Sequence, residues 1–76
     1  MSLGDTLRIT RQKALCTQED FAVKLGVALS TVNRWELNKA RPNMKAMKAI
    51  KGFCAENGLS YENIEQEWLG CSGRDK

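Results

Sequence analysis

The 76-residue sequence contains no histidine, a single proline and only three cysteines. Without histidine, it lacks the commonest metal ligand and the imidazole base of serine and cysteine triads. The cysteines Cys16, Cys54 and Cys71 are odd in number and form no Cys-x-x-Cys pair, which argues against a disulfide framework and a zinc site. We therefore expect no enzyme activity, no cofactor and no bound metal, in a chain that works in the cytoplasm.

Long apolar runs and strand patterns are also missing. No apolar run approaches the roughly 18 residues of a membrane span, and the first residues do not resemble a secretion signal, so we expect no membrane association. Apolar residues recur at intervals of three and four, which predicts helices at residues 3–14, 18–25, 28–37 and 44–57 and a short fifth from about 61. These predict an all-α, compact five-helix domain over residues 1–70, followed by a flexible tail at 71–76.

Residues with local hydrogen-bonding or left-handed preferences mark the predicted helix ends. Thr17 and Asp20 form a short-armed capping box before the second helix, and Asn38 suits a left-handed end of the third. Asn43 and Ser60 are the expected caps of the fourth and fifth helices. In the first helix, four residues recur at helical spacing: Leu7, Thr10, Ala14 and Leu15. The apolar positions of the later helices predict a core that contains Phe21, Ala22, Leu25, Val27, Val32, Trp35, Met44, Met47, Ile50, Phe53 and Cys54, and Cys16 is also expected to be buried.

The net charge of +3 is unevenly distributed along the chain. Residues 1–51 contain ten Lys or Arg against four Asp or Glu, whereas residues 52–76 contain two against five. A basic body with an acidic end is compatible with a polyanionic partner, and equally with ordinary solvation of exposed faces. Lys45, Lys48 and Lys51 share one face of the fourth predicted helix, and we interpret that face as solvated.

The second and third predicted helices are separated by only about three residues around Gly26, and so short a turn makes two helices cross steeply. At about 100° per residue, four side chains of the third helix fall within an arc of roughly 140°: Leu29, Ser30, Asn33 and Arg34. Val32 and Trp35 lie opposite and are predicted to be buried. Arginine can pair with guanine, asparagine with adenine, and leucine can pack on the thymine methyl group. We predict that this helix, at about residues 28–36, contacts bases in the major groove of double-stranded DNA.

The stretch LCTQEDFAVKLGVALSTVNRWELNKARP, residues 15–42, resembles the repressor/Cro-type (Xre-like) helix-turn-helix proteins. The residues at family spacing are Thr17-Gln18, Phe21-Ala22, Leu25-Gly26-Val27, Ser30-Thr31-Val32 and Arg34-Trp35-Glu36. The resemblance covers about residues 5–55, with the motif at 17–38. It implies a lambda-repressor-like fold and a role as a prokaryotic or phage transcription regulator.

The resemblance also implies roles for individual side chains. Base contacts are implied for Leu29, Ser30 and Arg34, with Asn33 at the edge of the same face. Phosphate contacts are implied for Gln18, Thr31, Lys39 and Arg41, the first of them at a helix N-terminus, which favours anions. Arg11 and Glu36 match a structural ion pair. The sequence departs from the family at Ala28, where many members have a hydroxyl cap, and at Leu15 and Asn38, where glycine is common.

Three functions remain open at this stage. The first is a DNA-binding transcriptional regulator, and the second is an antitoxin-like or prophage regulator that also binds an unidentified protein partner. The third is a protein-interaction module that has lost DNA binding. On the fifth predicted helix, Tyr61, Ile64 and Trp68 share one face, which either closes the core or forms part of a homodimer surface.

Overall fold

The computed structural model describes residues 2–72 and contains five α-helices there: α1 (Leu3–Lys13), α2 (Gln18–Leu25), α3 (Leu29–Glu36), α4 (Met44–Glu56) and α5 (Glu62–Ser72). No strand occurs within these residues, so the predicted all-α, five-helix architecture is confirmed. None of the five helices is long and apolar enough to cross a membrane. α5 ends two residues beyond the predicted domain boundary at residue 70, and residues 73–76 lie outside the described range. The boundary between domain and tail stays a prediction.

The helix starts follow from short-range hydrogen bonds that the sequence encodes. The Thr17 hydroxyl accepts from the Asp20 amide at 3.0 Å, and the Asp20 carboxylate accepts from the Thr17 amide at 3.3 Å, which completes the predicted capping box. Asn43 caps α4 by accepting from the Ala46 amide at 2.9 Å, as predicted. The cap predicted at Ser60 is wrong. α5 begins at Glu62, and its first backbone hydrogen bond runs from Glu65 to the Tyr61 carbonyl.

Four turns between helices contain a left-handed residue, namely Leu15 (φ 59°), Gly26 (φ 73°), Asn38 (φ 61°) and Gly58 (φ 66°). At each turn, the next amide donates to the carbonyl five residues before it, at 2.9 to 3.1 Å, which is the Schellman pattern. The left-handed end predicted at Asn38 is thereby confirmed. Leu15, which continues the helical spacing of the first helix, lies in the turn after α1, and its side chain is 92% exposed.

The core is formed by residues from all five helices, and its largest fully buried side chains include Phe21, Leu7, Ile50 and Ile64. The Phe21 and Phe53 rings meet edge to face with their centroids 5.0 Å apart. Three core predictions need correction: Met44 is 64% exposed, and Cys16 and Val27 are only half-buried at the edge of the core. Met44 is the first residue of α4, and the buried face of that helix begins later, at Ala46 and Met47.

α5 closes the core rather than standing apart from it. Ile64 is fully buried, and Tyr61 and Trp68 pack partly buried against the same cluster. The Trp68 indole donates to the Pro42 carbonyl at 2.6 Å, so α5 is also joined to the loop that follows α3. This face of α5 therefore has a packing role within one chain.

Candidate nucleic-acid interface

α2 and α3 are held at their crossing by one compact set of apolar side chains. Phe21 and Ala22 of α2 and Val32 of α3 are almost completely buried, and the Trp35 side chain lies with them. Only residues 26–28 separate the two helices, and the left-handed Gly26 turns the chain between them. The inner face of α3 is thus fixed in the core, and its outer face is fixed with it.

The outer face of α3 contains the four side chains that the sequence assigns to base contacts. Leu29, Ser30, Asn33 and Arg34 are all exposed, and Leu29 is 47% exposed despite being apolar. Thr31, assigned to a phosphate, is half-buried at the edge of this face. The structure therefore brings the assigned residues together on one accessible surface. The first turn of this helix has no side-chain cap at Ala28.

Arg11 of α1 and Glu36 at the end of α3 form a hydrogen-bonded ion pair. Arg11 donates to the two carboxylate oxygens at 2.7 and 3.0 Å and to the Cys16 carbonyl at 3.0 Å. The side chains are only 12% and 4% exposed, and the hydrogen bond to Glu36 raises the pKa of Arg11. Since both charges are shielded from water, loss of one partner would leave the other unpaired.

Gln18 connects this ion pair to the outer face of α3. Its Nε2 donates to Glu36 Oε1 at 3.0 Å, and its Oε1 accepts from Asn33 Nδ2 at 3.4 Å. Sequence reasoning assigned Gln18 to a phosphate and Asn33 to a base but did not connect them. The spacing of 15 and 18 residues between the partners carries no local signal, so only the crossing of α2 and α3 brings them together.

The two basic residues after α3 have different surroundings. Lys39 is exposed next to the end of the helix. The Arg41 guanidinium lies 4.5 Å from the centre of the Trp68 ring and donates to the Trp68 carbonyl at 3.4 Å. Arg41 also lines a groove with Thr31 and Arg34, so it borders the outer face of α3 while it is bound to α5.

A contact that sequence reasoning missed joins the start of α1 to the end of α3. The Asn38 side chain accepts from the Gly4 amide at 3.0 Å and donates to the Ser2 hydroxyl at 3.1 Å. Gly4 is buried so close to α3 that a Cβ there would lie 2.6 Å from the Glu36 carbonyl oxygen. The sequence offers no clear signal for this contact, because Gly52 also lies inside a helix and an added Cβ there meets no atom within 4 Å.

The comparisons with known proteins agree with this geometry. A family model described as Helix-turn-helix matches residues 7–52, which include most of α1, all of α2 and α3, and most of α4. No curated protein and no solved structure matches the chain. Among the side chains that the structure describes, those of residues 2–70, no cluster of three or more His, Cys, Asp or Glu is arranged to hold a metal ion.

Proposed function

Because the chain belongs to the repressor/Cro-type helix-turn-helix family of DNA-binding domains, we propose that it recognises specific sequences of double-stranded DNA and regulates transcription. In this proposal α3 enters the major groove and its outer face contacts the base edges. The family is one of DNA-binding domains rather than enzymes, so the function is binding and not catalysis. A cytoplasmic location is part of the same proposal.

The observation that carries the proposal is the composition of the outer face of α3. It combines a guanidinium, an amide, a hydroxyl and an exposed leucine on a helix whose opposite side is buried. Arg34 can donate two hydrogen bonds to guanine, and Asn33 can both donate to and accept from adenine. Leu29 can contact a thymine methyl group, whereas Ser30 suits several bases.

Phosphate contacts would set the position of the domain on the duplex without reading its sequence. Gln18 lies at the N-terminus of α2, where backbone amides and the helix dipole favour an anion. Thr31 is half-buried in the first turn of α3, and Lys39 is exposed just beyond the end of that helix. Arg41 can contact a phosphate only from its position against Trp68, so we expect it to contribute less to phosphate binding than Lys39 does.

The test is selection of bound sequences from a random duplex pool with the wild-type chain, Arg34→Ala and Lys39→Ala in parallel. We expect the wild type to enrich one motif and Arg34→Ala to relax one base pair within it, by about 1–3 kcal/mol of discrimination. Lys39→Ala should weaken all duplexes alike and reduce the salt dependence of binding. Two half-sites about 34 Å apart in the motif would identify a homodimer.

The same experiment separates the alternatives. A chain that enriches no sequence and binds without salt dependence is a protein-interaction module, and the proposal is then wrong. A regulator of the antitoxin type would enrich a motif and also retain a protein partner in a pull-down with the Arg34→Ala variant. Equal weakening of every duplex by Arg34→Ala would move Arg34 from the base contacts to the phosphate contacts.

A further inference from the structure

We infer that Glu36 and Gln18 fix the orientation of the Asn33 amide, so that Asn33 selects adenine at the base pair it faces. This inference rests on the proposed function, because it concerns which base one side chain of the recognition helix prefers. It assigns to Gln18 and Glu36 a positioning role that is separate from any phosphate contact.

The first step is the chemistry of the Glu36 carboxylate. Its oxygens accept from the Arg11 guanidinium at 2.7 and 3.0 Å, and a carboxylate paired with a guanidinium offers lone pairs only. Any further partner must therefore donate to it. Gln18 meets this requirement with its Nε2 group, at 3.0 Å from Glu36 Oε1.

The second step is that the orientation of the Gln18 amide determines the orientation of the Asn33 amide. Because the Gln18 amide turns its nitrogen towards Glu36, its oxygen faces the opposite way, where it lies 3.4 Å from Asn33 Nδ2. An oxygen can only accept, so Asn33 must turn its own nitrogen towards Gln18. The Glu36 carboxylate, held in place by Arg11, thus sets the direction of two successive hydrogen bonds, from Gln18 to Glu36 and from Asn33 to Gln18, and the second lies on the exposed face of α3.

The third step concerns the atoms that Asn33 still offers. One of its two amide hydrogens is directed to Gln18, which leaves Oδ1 as an acceptor and the second hydrogen as a donor. Adenine presents the complementary pair in the major groove, a donor at N6 and an acceptor at N7. Guanine presents two acceptors, N7 and O6, and its O6 would meet Asn33 Oδ1 without a hydrogen between them. A fixed amide therefore favours adenine and penalises guanine.

The Glu36 carboxylate also explains why the Asn33 amide has one preferred orientation. An isolated exposed asparagine exchanges its nitrogen and oxygen at little cost, since water can donate to one and accept from the other. At position 33 a reversed amide would place oxygen against oxygen at Gln18, or would force Gln18 to present its oxygen to the Glu36 carboxylate. Either arrangement loses a hydrogen bond and adds a repulsion.

The experiment is a double-mutant cycle on base preference rather than on affinity. A preliminary selection with Asn33→Ala identifies the base pair at which this variant loses its preference. Dissociation constants are then measured for duplexes that differ only at that base pair, with four proteins: wild type, Gln18→Met, Asn33→Ala and the double variant. Methionine preserves the length of the side chain, and we expect the Arg11–Glu36 ion pair to persist because its two hydrogen bonds do not involve Gln18. The exposed Gln12 on α1 supplies the matched control, Gln12→Met. Circular dichroism at the binding temperature establishes that each variant is folded.

We expect Gln18→Met to lower the adenine-to-guanine affinity ratio by about 2- to 10-fold, the equivalent of one neutral hydrogen bond. It should leave that ratio unchanged when Asn33 is already alanine, and Gln12→Met should leave it unchanged in both backgrounds. If Gln18→Met weakens all duplexes equally and the ratio is constant, Gln18 is a phosphate contact only and the inference is overturned. The same holds if Asn33→Ala alters no base preference. Absence of any enriched motif for the wild type would instead refute the proposed function.

Discussion

Replacement of Gly4 by alanine should destabilise the protein, although the same change elsewhere in a helix stabilises. An added Cβ at Gly4 would lie 2.6 and 2.8 Å from the carbonyl oxygens of Glu36 and Trp35 and 2.9 Å from Asn38 Oδ1. Two of these three atoms belong to the backbone of α3 and cannot rotate away. The helix must therefore move, or the hydrogen bond from the Gly4 amide to Asn38 must lengthen.

The expected magnitude follows from two opposing contributions. Alanine gains at most about 1 kcal/mol over glycine from its helix propensity, and less here because Gly4 lies in the first turn of α1. Overpacking in a buried contact costs about 1–3 kcal/mol, and a weakened hydrogen bond adds about 1 kcal/mol. The net loss in the free energy of unfolding should be about 1–3 kcal/mol, or a fall in Tm of at least about 4 °C.

Gly52 provides the matched control, because it lies inside α4 and an added Cβ there meets no atom within 4 Å. Gly52→Ala should raise the free energy of unfolding by up to about 1 kcal/mol. Urea unfolding followed by circular dichroism measures both variants, provided that the slope with denaturant is unchanged. Equal stabilisation by Gly4→Ala and Gly52→Ala would refute the close approach of α1 to the end of α3.

Three further predictions test other parts of the structure. Leu15→Gly should stabilise the folded protein by about 1 kcal/mol, because Leu15 has a left-handed backbone and an exposed side chain. Val23→Gly, at an exposed helical position, should destabilise the protein in the same thermal unfolding series. Arg41→Ala should lower the free energy of unfolding by about 1 kcal/mol in the absence of DNA, because the guanidinium packs on α5. Lys39→Ala should lower it by less than half as much. Equal losses for the two variants in urea titrations would contradict the packing of Arg41 on α5. Ala28→Ser should raise the free energy of unfolding by about 1 kcal/mol, because the hydroxyl can cap α3. It should also slow amide hydrogen exchange in the first turn of α3, and an unchanged exchange rate there would argue against an uncapped start.

The features that sequence reasoning predicted well are those decided within a few residues. The capping box at Thr17 and Asp20 and the left-handed Asn38 each depend on neighbours no more than five positions away. The same locality explains one error. Met44 belongs to the apolar series of α4 but precedes the buried part of that helix.

Contacts between distant residues could not be predicted from pattern alone. The position of Gly4 against α3 depends on how α1 crosses the core, which no residue near Gly4 specifies. For Asn38, the sequence predicted only the left-handed backbone conformation. Its side chain also binds Gly4 and Ser2, which precede it by 34 and 36 positions. The link from Gln18 to Asn33 depends in the same way on the angle between α2 and α3.

These contacts hold the two ends of α3 unequally. Its last turn is buried at Trp35 and Glu36, receives the Arg11 ion pair and is followed by Asn38, whose side chain is bound to α1. Its first turn begins at an uncapped Ala28. Precise hydrogen bonds to bases need a fixed donor geometry, whereas apolar contact with a methyl group tolerates movement. In the proposed interface, the two side chains with the most specific hydrogen bonds, Asn33 and Arg34, lie towards the anchored end, whereas the apolar Leu29 and the less selective Ser30 lie in the uncapped first turn.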